Sequence, residues 1–307
     1  MTALDGKTVL LTGASRGIGA VIARSLFQSG ATVVGVARDR AKLAHVCQEI
    51  GSSGAPSGAS SGTSSGPMAS TVAAKCYSIA WDLSRSESLS DLIQTVEQTA
   101  GPVDILINNA GIERYRAFQD YTLQDLQAVI GVNLLAAMEL SRLLLPSMVQ
   151  RGSGHIVNMA STAAKKGHPF DSAYSASKAG LLMWSDALRQ ELVGTEVEIS
   201  TICPGYVDSS GMMADTGIPA PQLAGSISPA RVAAAVIKAI EQNQAEVVVS
   251  KDVIASTISK LLFATWQFFP RFGDATYRAI GVPQLNQQRI KPAAVELAGS
   301  TRMSSRP

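Results

Sequence analysis

Only three of the 307 residues are cysteines, and Cys47, Cys76 and Cys203 stand far apart. An odd, scattered set fits neither a disulfide framework nor a zinc pattern. It points to free thiols in a reducing compartment, so a cytoplasmic location is expected. Histidine is as scarce. His45, His155 and His168 form no HExxH-type pair, and no metal site is expected. Aromatic residues reach 5%, too few for base-stacking platforms. Neither sign of charge dominates: 26 Lys and Arg against 24 Asp and Glu leave +2. Binding that runs on phosphate neutralisation is thereby excluded, and no nucleic-acid partner is expected. No run of about 18 uninterrupted apolar residues occurs, so no membrane-spanning helix is expected. The N-terminus also lacks the basic-then-apolar pattern of a secretory leader.

What the chain does have is core material, 46% hydrophobic, arranged in a regular alternation. Short β-friendly runs at 8–11, 32–37, 75–81, 105–108, 154–159, 198–202 and 246–249 read as strands. Helical stretches fall between them: one after the 13–19 turn, with Val21, Ile22, Leu26 and Phe27 in phase and Gly30 as its end, then 41–50, 87–99, 123–145, 173–192 and 229–242, with Pro146 expected to stop the fourth. This alternation predicts an α/β fold: a doubly wound, Rossmann-type parallel sheet of seven strands covered on both faces, filling residues 1–250. Residues 51–71 hold 5 Gly and 8 Ser in 21 positions and read as a flexible insertion. Residues 251–307 read as a C-terminal apolar helical extension.

The turn after the first strand is Thr12-Gly13-Ala14-Ser15-Arg16-Gly17-Ile18-Gly19. Glycines let phosphates approach the main chain, and the N-terminus of the following helix offers unpaired N–H groups and a partial positive charge. In strand–turn–helix context, Gly13, Ser15, Arg16, Gly17, Ile18 and Gly19 are candidate nucleotide-binding residues. The second strand ends at Arg38, where an acidic residue would accept from a ribose 2′-hydroxyl and repel a 2′-phosphate. An arginine does the reverse, and Arg16 approaching the same phosphate would strengthen it, so NADP(H) is expected over NAD(H). If Asp39 faced the ribose instead, that preference would weaken.

Tyr174 and Lys178 are four apart, on one face of a predicted helix. A nearby ammonium stabilises a phenolate and is expected to pull the Tyr174 pKa down toward working pH. Ser161, thirteen residues earlier at a strand end, offers a hydroxyl to a substrate carbonyl. Asn133 is a polar residue in an apolar helix, and a water bound to its amide and leading to Lys178 would satisfy it.

In this order the residues resemble the short-chain dehydrogenase/reductase family of the roughly 250-residue kind. The likeness covers about two-thirds of the chain. It rests on the TGxxxGxG turn, Asp82-Leu83, Asn108-Asn109-Ala110-Gly111, Asn133, Ser161, Tyr174, Lys178 and Pro204-Gly205-Tyr206-Val207. The resemblance implies a catalytic tetrad of Asn133, Ser161, Tyr174 and Lys178. It implies that Asp82, with Leu83 beside it, bonds the adenine, and that Asn109, Ala110 and Gly111 shape the cofactor floor. Pro204, Gly205 and Val207 would hold the nicotinamide amide, with Ser209 where the family often has threonine, and Tyr174 and Lys178 would also meet the cofactor. The implied activity is NADP(H)-dependent hydride transfer between a ketone or aldehyde carbonyl and its alcohol. A non-catalytic NADP(H)-binding regulator of the same fold is the alternative.

Loops at 112–118, 163–172 and 206–225 are candidate walls of an apolar substrate pocket, with Tyr115, Phe118, His168, Phe170, Tyr206, Met212 and Met213 among them. Met212 and Met213 serve equally well as lid packing, and His168 is expected on the surface. A homodimer or homotetramer is expected. In the extension, Ile254, Ile258, Leu261, Leu262, Thr265 and Phe269 recur at helical spacing up to Pro270. Such a helix wants burial against its own domain or a partner subunit; the other reading is a peripheral membrane contact through 254–269, with Lys260 and Arg271 near lipid headgroups.

Overall fold

A computed structural model describes residues 2–52, 74–208, 211–222 and 224–290. Nearly all of the Gly/Ser-rich insertion, Ser209 and the tail beyond 290 lie outside the described residues. Seven strands form one parallel sheet: β1 (Thr8–Thr12), β2 (Thr32–Ala37), β3 (Cys76–Ala80), β4 (Ile105–Asn108), β5 (Gly154–Met159), β6 (Val197–Pro204) and β7 (Glu246–Val249). Their order is β3-β2-β1-β4-β5-β6-β7, the doubly wound arrangement expected.

Alternate strand residues feed two cores. Val9, Leu11, Ile105 and Ile107 pack with α1 (Gly17–Gln28), α2 (Arg40–Ser52) and α7 (Pro229–Gln242). Leu10, Leu106 and Ile156 face the other way, onto α3 (Leu89–Ala100) and the helices that follow β4 and β5. Burial on both faces explains why the strands read as unbroken apolar runs.

The helical run expected at 123–145 is longer and has three parts. It comprises α4 (Leu123–Ile130), a π-helical turn (Gly131–Leu135) and α5 (Ala136–Arg151). Pro146 therefore does not stop it; the proline sits inside α5. A proline in a helix interior costs about 3 kcal/mol. Leu144 and Met148 beside it are fully buried, each contributing about 1.5–3 kcal/mol, enough to carry the helix through. It ends at Gly152, whose φ of +60° makes the left-handed cap. Among the described residues, Leu123–Arg151 is the one helical run long and apolar enough to cross a membrane. It packs on β5 and α3 and buries Asn133, as a core helix does.

α6 (Ser172–Glu191) follows β5 and closes the second core. The extension folds as α8 (Val253–Phe268), α9 (Pro270–Ala279) and α10 (Val282–Gln288). Pro270 ends α8 and opens α9 at its first position. The burial expected of α8 is only partly found. Trp266 packs in a small cluster with Tyr277 and Val282, but Ile254, Leu261 and Phe268 are 74%, 66% and 81% exposed. The reason is spacing: the apolar residues wrap all round α8, and one stripe of it meets the domain.

Candidate active site

The carboxyl ends of β1, β4, β5 and β6 meet where the strand order reverses, the usual crevice of an open α/β sheet. On the β1 side the glycine turn is tightly fitted. A Cβ at Gly19 would lie 2.1 Å from the Gly13 oxygen, and one at Gly13 would lie 2.9 Å from Ala110 Cα. The N-terminus of α1 has no side-chain cap and no acidic residue in its first turn. Its N–H groups are therefore open to an anionic ligand, and this cradle fits a dinucleotide pyrophosphate.

The floor is welded to this turn. Thr12 Oγ1 donates to Ile107 O at 3.3 Å and accepts from the N–H groups of Asn109 and Ala110, each at 3.0 Å. Asn109 Nδ2 donates to Thr12 O and Gly13 O. Asn109 thus holds the loop rather than presenting its amide to the crevice. Asp82 accepts from Ser84 N and Oγ, while the Leu83 side chain is buried in the second core. Pro204 ends β6. Gly205 donates its N–H to Val249 O at 3.1 Å, and Val207 bridges to Ile227.

The two arginines do not converge as expected. Arg38 is exposed at the end of β2. Arg16 instead meets Asp215 at 2.5 Å, in the loop after β6. Both partners are half-exposed, so this pair is worth little and opens readily. Asp39 is committed to capping α2: its Oδ1 accepts from Lys42 N at 3.0 Å, and that bond holds its carboxyl below the ordinary range. Arg38 stands exposed beside it at the end of β2.

The structure brings Ser161, Tyr174, Lys178 and Asn133 together. Ser161 Oγ accepts from Ala163 N at 3.1 Å and acts on the Tyr174 hydroxyl, favouring its ionised form. Lys178 Nζ lies 5.7 Å from the Tyr174 ring centre and donates to Met159 O at 2.7 Å. A Cβ at Gly111 would sit 3.4 Å from Asn133 Oδ1 and 3.5 Å from Lys178 Nζ, so the bare glycine leaves both groups room. Asn133 stands in the π turn, a common device at functional sites. Its amide is already placed: Nδ2 donates to Ile112 O and Ser177 Oγ, and Oδ1 accepts from Ile112 N. Both side-chain N–H groups of Asn133 are thereby taken by the protein.

The expected acidification of Tyr174 is reversed. Burial, then the neighbouring Glu113 carboxyl, pushes the phenol above its ordinary value, and Ser161 pulls against them. Lys178 is itself pushed down to about 8 by burial. At neutral pH the arrangement is a buried cation beside a protonated phenol.

Of the candidate wall residues, Met212 packs against Tyr174, while Phe118 is 69% exposed. His168, expected on the surface, is buried, stacked on Tyr206 with ring centres 5.7 Å apart. Three functional neighbours were not anticipated from sequence: Glu113, Asp171 and Arg289. A charge two residues after the floor motif Asn108–Gly111 was the one local signal for Glu113; Asp171 and Arg289 become partners only through the fold.

A family model describing short chain dehydrogenases matches residues 7–218. The chain belongs to the short-chain dehydrogenase/reductase family. It is 50% identical over 291 residues to the ketoacyl reductase HetN of Nostoc sp., covering 95% of each chain. It is 29% identical over 206 residues to the 3-oxoacyl-[acyl-carrier-protein] reductase FabG of Vibrio harveyi, covering 67% of this chain and 75% of the relative. Among solved structures, a metagenomic short-chain oxidoreductase in complex with NADP is 32% identical with a TM-score of 0.66, over 82% of this chain and 100% of that one. A short-chain dehydrogenase/reductase from Burkholderia phymatum in complex with NAD shares the fold at 23% identity and a TM-score of 0.69, over 81% of this chain and 90% of that one. Members of this family use a nicotinamide cofactor, which the uncapped α1 cradle suits.

Burial also fixes an acid sensitivity. The imidazoles of His155 and His168 are pushed from 6.5 down to about 4 by burial. Between those values the unfolded chain binds more protons, so stability is lost as the pH falls from 6.5 toward 4, by roughly 3 kcal/mol for each histidine. Denaturant titrations at pH 7 and pH 4.5 should show a smaller acid loss for His168→Gln than for wild type; an equal loss would remove His168 from the account.

Proposed function

We propose that the protein is an NADP(H)-dependent reductase of 3-oxoacyl compounds, converting the ketone to the hydroxyl. One observation carries the reading: Ser161, Tyr174 and Lys178 share a buried corner beside a glycine turn built for a dinucleotide. The substrate class is supported by the similarity of the chain to a ketoacyl reductase and a 3-oxoacyl reductase. Apolar neighbours of Tyr174, among them Ile112, Val129 and Met212, suit an acyl chain.

The glycine turn and α1 would hold the pyrophosphate, and Arg38 would meet a 2′-phosphate. When bound, the reduced nicotinamide supplies hydride to the carbonyl carbon. Ser161 and Tyr174 donate hydrogen bonds to the carbonyl oxygen, and Tyr174 gives up the proton that completes the alcohol. A phenol held above its ordinary pKa stays protonated until the oxygen becomes basic enough to take the proton, which suits an acid. Lys178, a cation at neutral pH, stabilises the phenolate left behind and holds ribose hydroxyls.

Turnover of NADPH is read with 3-oxoacyl thioesters, aryl ketones and long-chain ketones. The expected outcome is loss of NADPH absorbance with the thioesters; a binder of NADPH that turns over none of them is the non-catalytic regulator. Tyr174→Phe should lower kcat by about 10²–10⁴-fold while NADPH affinity, measured by fluorescence titration, holds. Parent-rate turnover in that variant removes Tyr174 from its role. Arg38→Asp should swing the NADPH/NADH ratio of kcat/KM toward NADH, and an unchanged ratio defeats the NADP(H) assignment.

The exposed face of α8 and α9 is a further part of the proposal, as a contact with anionic bilayers. Ile254, Ile258, Leu261, Leu262, Phe268 and Phe272 are exposed amid Lys251, Lys260, Arg271 and Arg278. The two acids of the region are engaged, Asp252 as the α8 cap and Asp274 with Lys166. Exposed apolar side chains on helices that also carry cations suit acidic headgroups. Flotation with phosphatidylglycerol vesicles should carry the wild-type chain and not Leu261→Ser/Phe268→Ser; a wild-type chain that stays at the bottom rules this contact out.

A further inference from the structure

The C-terminal extension lies outside the 7–218 stretch matched by the family model, yet it grips both walls of the crevice. On the wall between β5 and α6, Lys166 Nζ pairs with Asp274 at 2.5 Å, and Pro169 O accepts from Asn286 Nδ2 at 2.9 Å. On the wall after β6, Pro219 O accepts from Arg289 Nη2 at 2.8 Å. Arg289 follows α10 and is only 2% exposed. Its guanidinium carbon stands 5.5 Å from the Tyr115 ring centre and 5.6 Å from that of Tyr206. Nη1 donates to Asn286 Oδ1 at 2.6 Å, and Nε has no hydrogen-bond partner.

A guanidinium keeps its proton, so burying it calls for negative charge nearby. The charge available is Glu113 with Asp171. Glu113 accepts from the Tyr115 hydroxyl at 2.8 Å, and its charge acts on that of Asp171. Asp171 is wholly buried, and neither of its oxygens meets an N–H or O–H donor. Burial raises both carboxyls, and the charge of Glu113 raises Asp171 further, so the pair favours keeping one proton. Two carboxyls less one shared proton carry a single negative charge, the match for one guanidinium. Arg289 draws both carboxyls toward ionisation, against burial that opposes it. The residue before Asp171, Phe170, has a left-handed φ of 61°, an unfavourable backbone kept where surroundings over-determine it.

We propose that Arg289 is a positioning residue for the reaction at Tyr174: it balances the single charge of the Glu113–Asp171 pair and pins the two walls, so the crevice reaches working geometry only with the extension docked. The inference rests on the reductase reading given above. The pair is faced by Tyr115 and Tyr121 on the loop after β4, by Tyr174 and Lys178 on α6, and by Arg289. Tyr206 and the neutral His168 stand beside Arg289.

The full-length chain is compared with Arg289→Met, Arg289→Lys and Arg289→Met/Glu113→Gln. Each is assayed for NADPH turnover with a 3-oxoacyl thioester, for NADPH binding and for thermal unfolding at pH 5 and pH 8. Arg289→Met should lower kcat on the order of 10²-fold, with NADPH affinity unchanged within about twofold. Without its cation the pair holds its protons more tightly, and a carboxyl raised in the folded state costs stability as pH rises. The melting temperature of Arg289→Met should therefore fall by about 5–10 °C at pH 8 and by less at pH 5. Adding Glu113→Gln should recover most of both losses, because the site then needs no cation; Arg289→Lys, with charge but no fork, should fall between. Wild-type kcat in Arg289→Met, equal melting losses at the two pH values, or a double variant no better than the single one overturns the proposal. If the wild type turns over no substrate, the reductase reading fails, and the melting pattern still decides whether Arg289 balances the pair.

Discussion

The hydrogen bonds between Thr12 and the loop after β4 hold the two halves of the sheet in one register at the site. The Thr12 hydroxyl takes two N–H groups from that loop, and the Asn109 amide returns two bonds to Thr12 and Gly13. The turn that faces the phosphates and the floor that leads to Asn133 and Lys178 are thereby one rigid piece. Gly13 and Gly17 take positive φ at no steric cost because they lack a Cβ. Everything downstream, from the bare Gly111 to the corner holding Tyr174, is measured from this weld.

Electrostatics in the crevice is governed by burial more than by proximity. Lys178 is near Tyr174, but desolvation acts on both and moves each toward its neutral form. The nearby carboxyls Glu113 and Asp171 add to that on the phenol. The same physics neutralises His168. The corner is therefore poised to release a proton when charge develops on a substrate oxygen, rather than to keep a phenolate waiting.

The fold was legible because a parallel sheet covered on both faces writes itself as short apolar runs, and because helices between them carry a plain 3.6 period. The glycine turn and the Tyr174–Lys178 pair were legible because each is local: a strand–turn–helix and a single helical turn. Pro146 misled because local propensity was outweighed by the packing of Leu144 and Met148. The direction of the Tyr174 shift was hidden because desolvation depends on what the whole chain places overhead. Arg289 was hidden for the same reason: it stands 118 residues after Asp171 in the sequence, and nothing in either neighbourhood announces the other. His168 looked like a loop histidine until Tyr206 and Tyr277 enclosed it.

The grip of α9 and α10 on the loops around Lys166, Pro169 and Pro219 sets an order of events during synthesis. All seven strands are synthesised some forty residues before Arg289. A nascent chain at that stage has every residue of the glycine-turn cradle but not yet the helices that brace the facing walls. The last helices to emerge convert a folded nucleotide-binding body into one whose second half-site is closed.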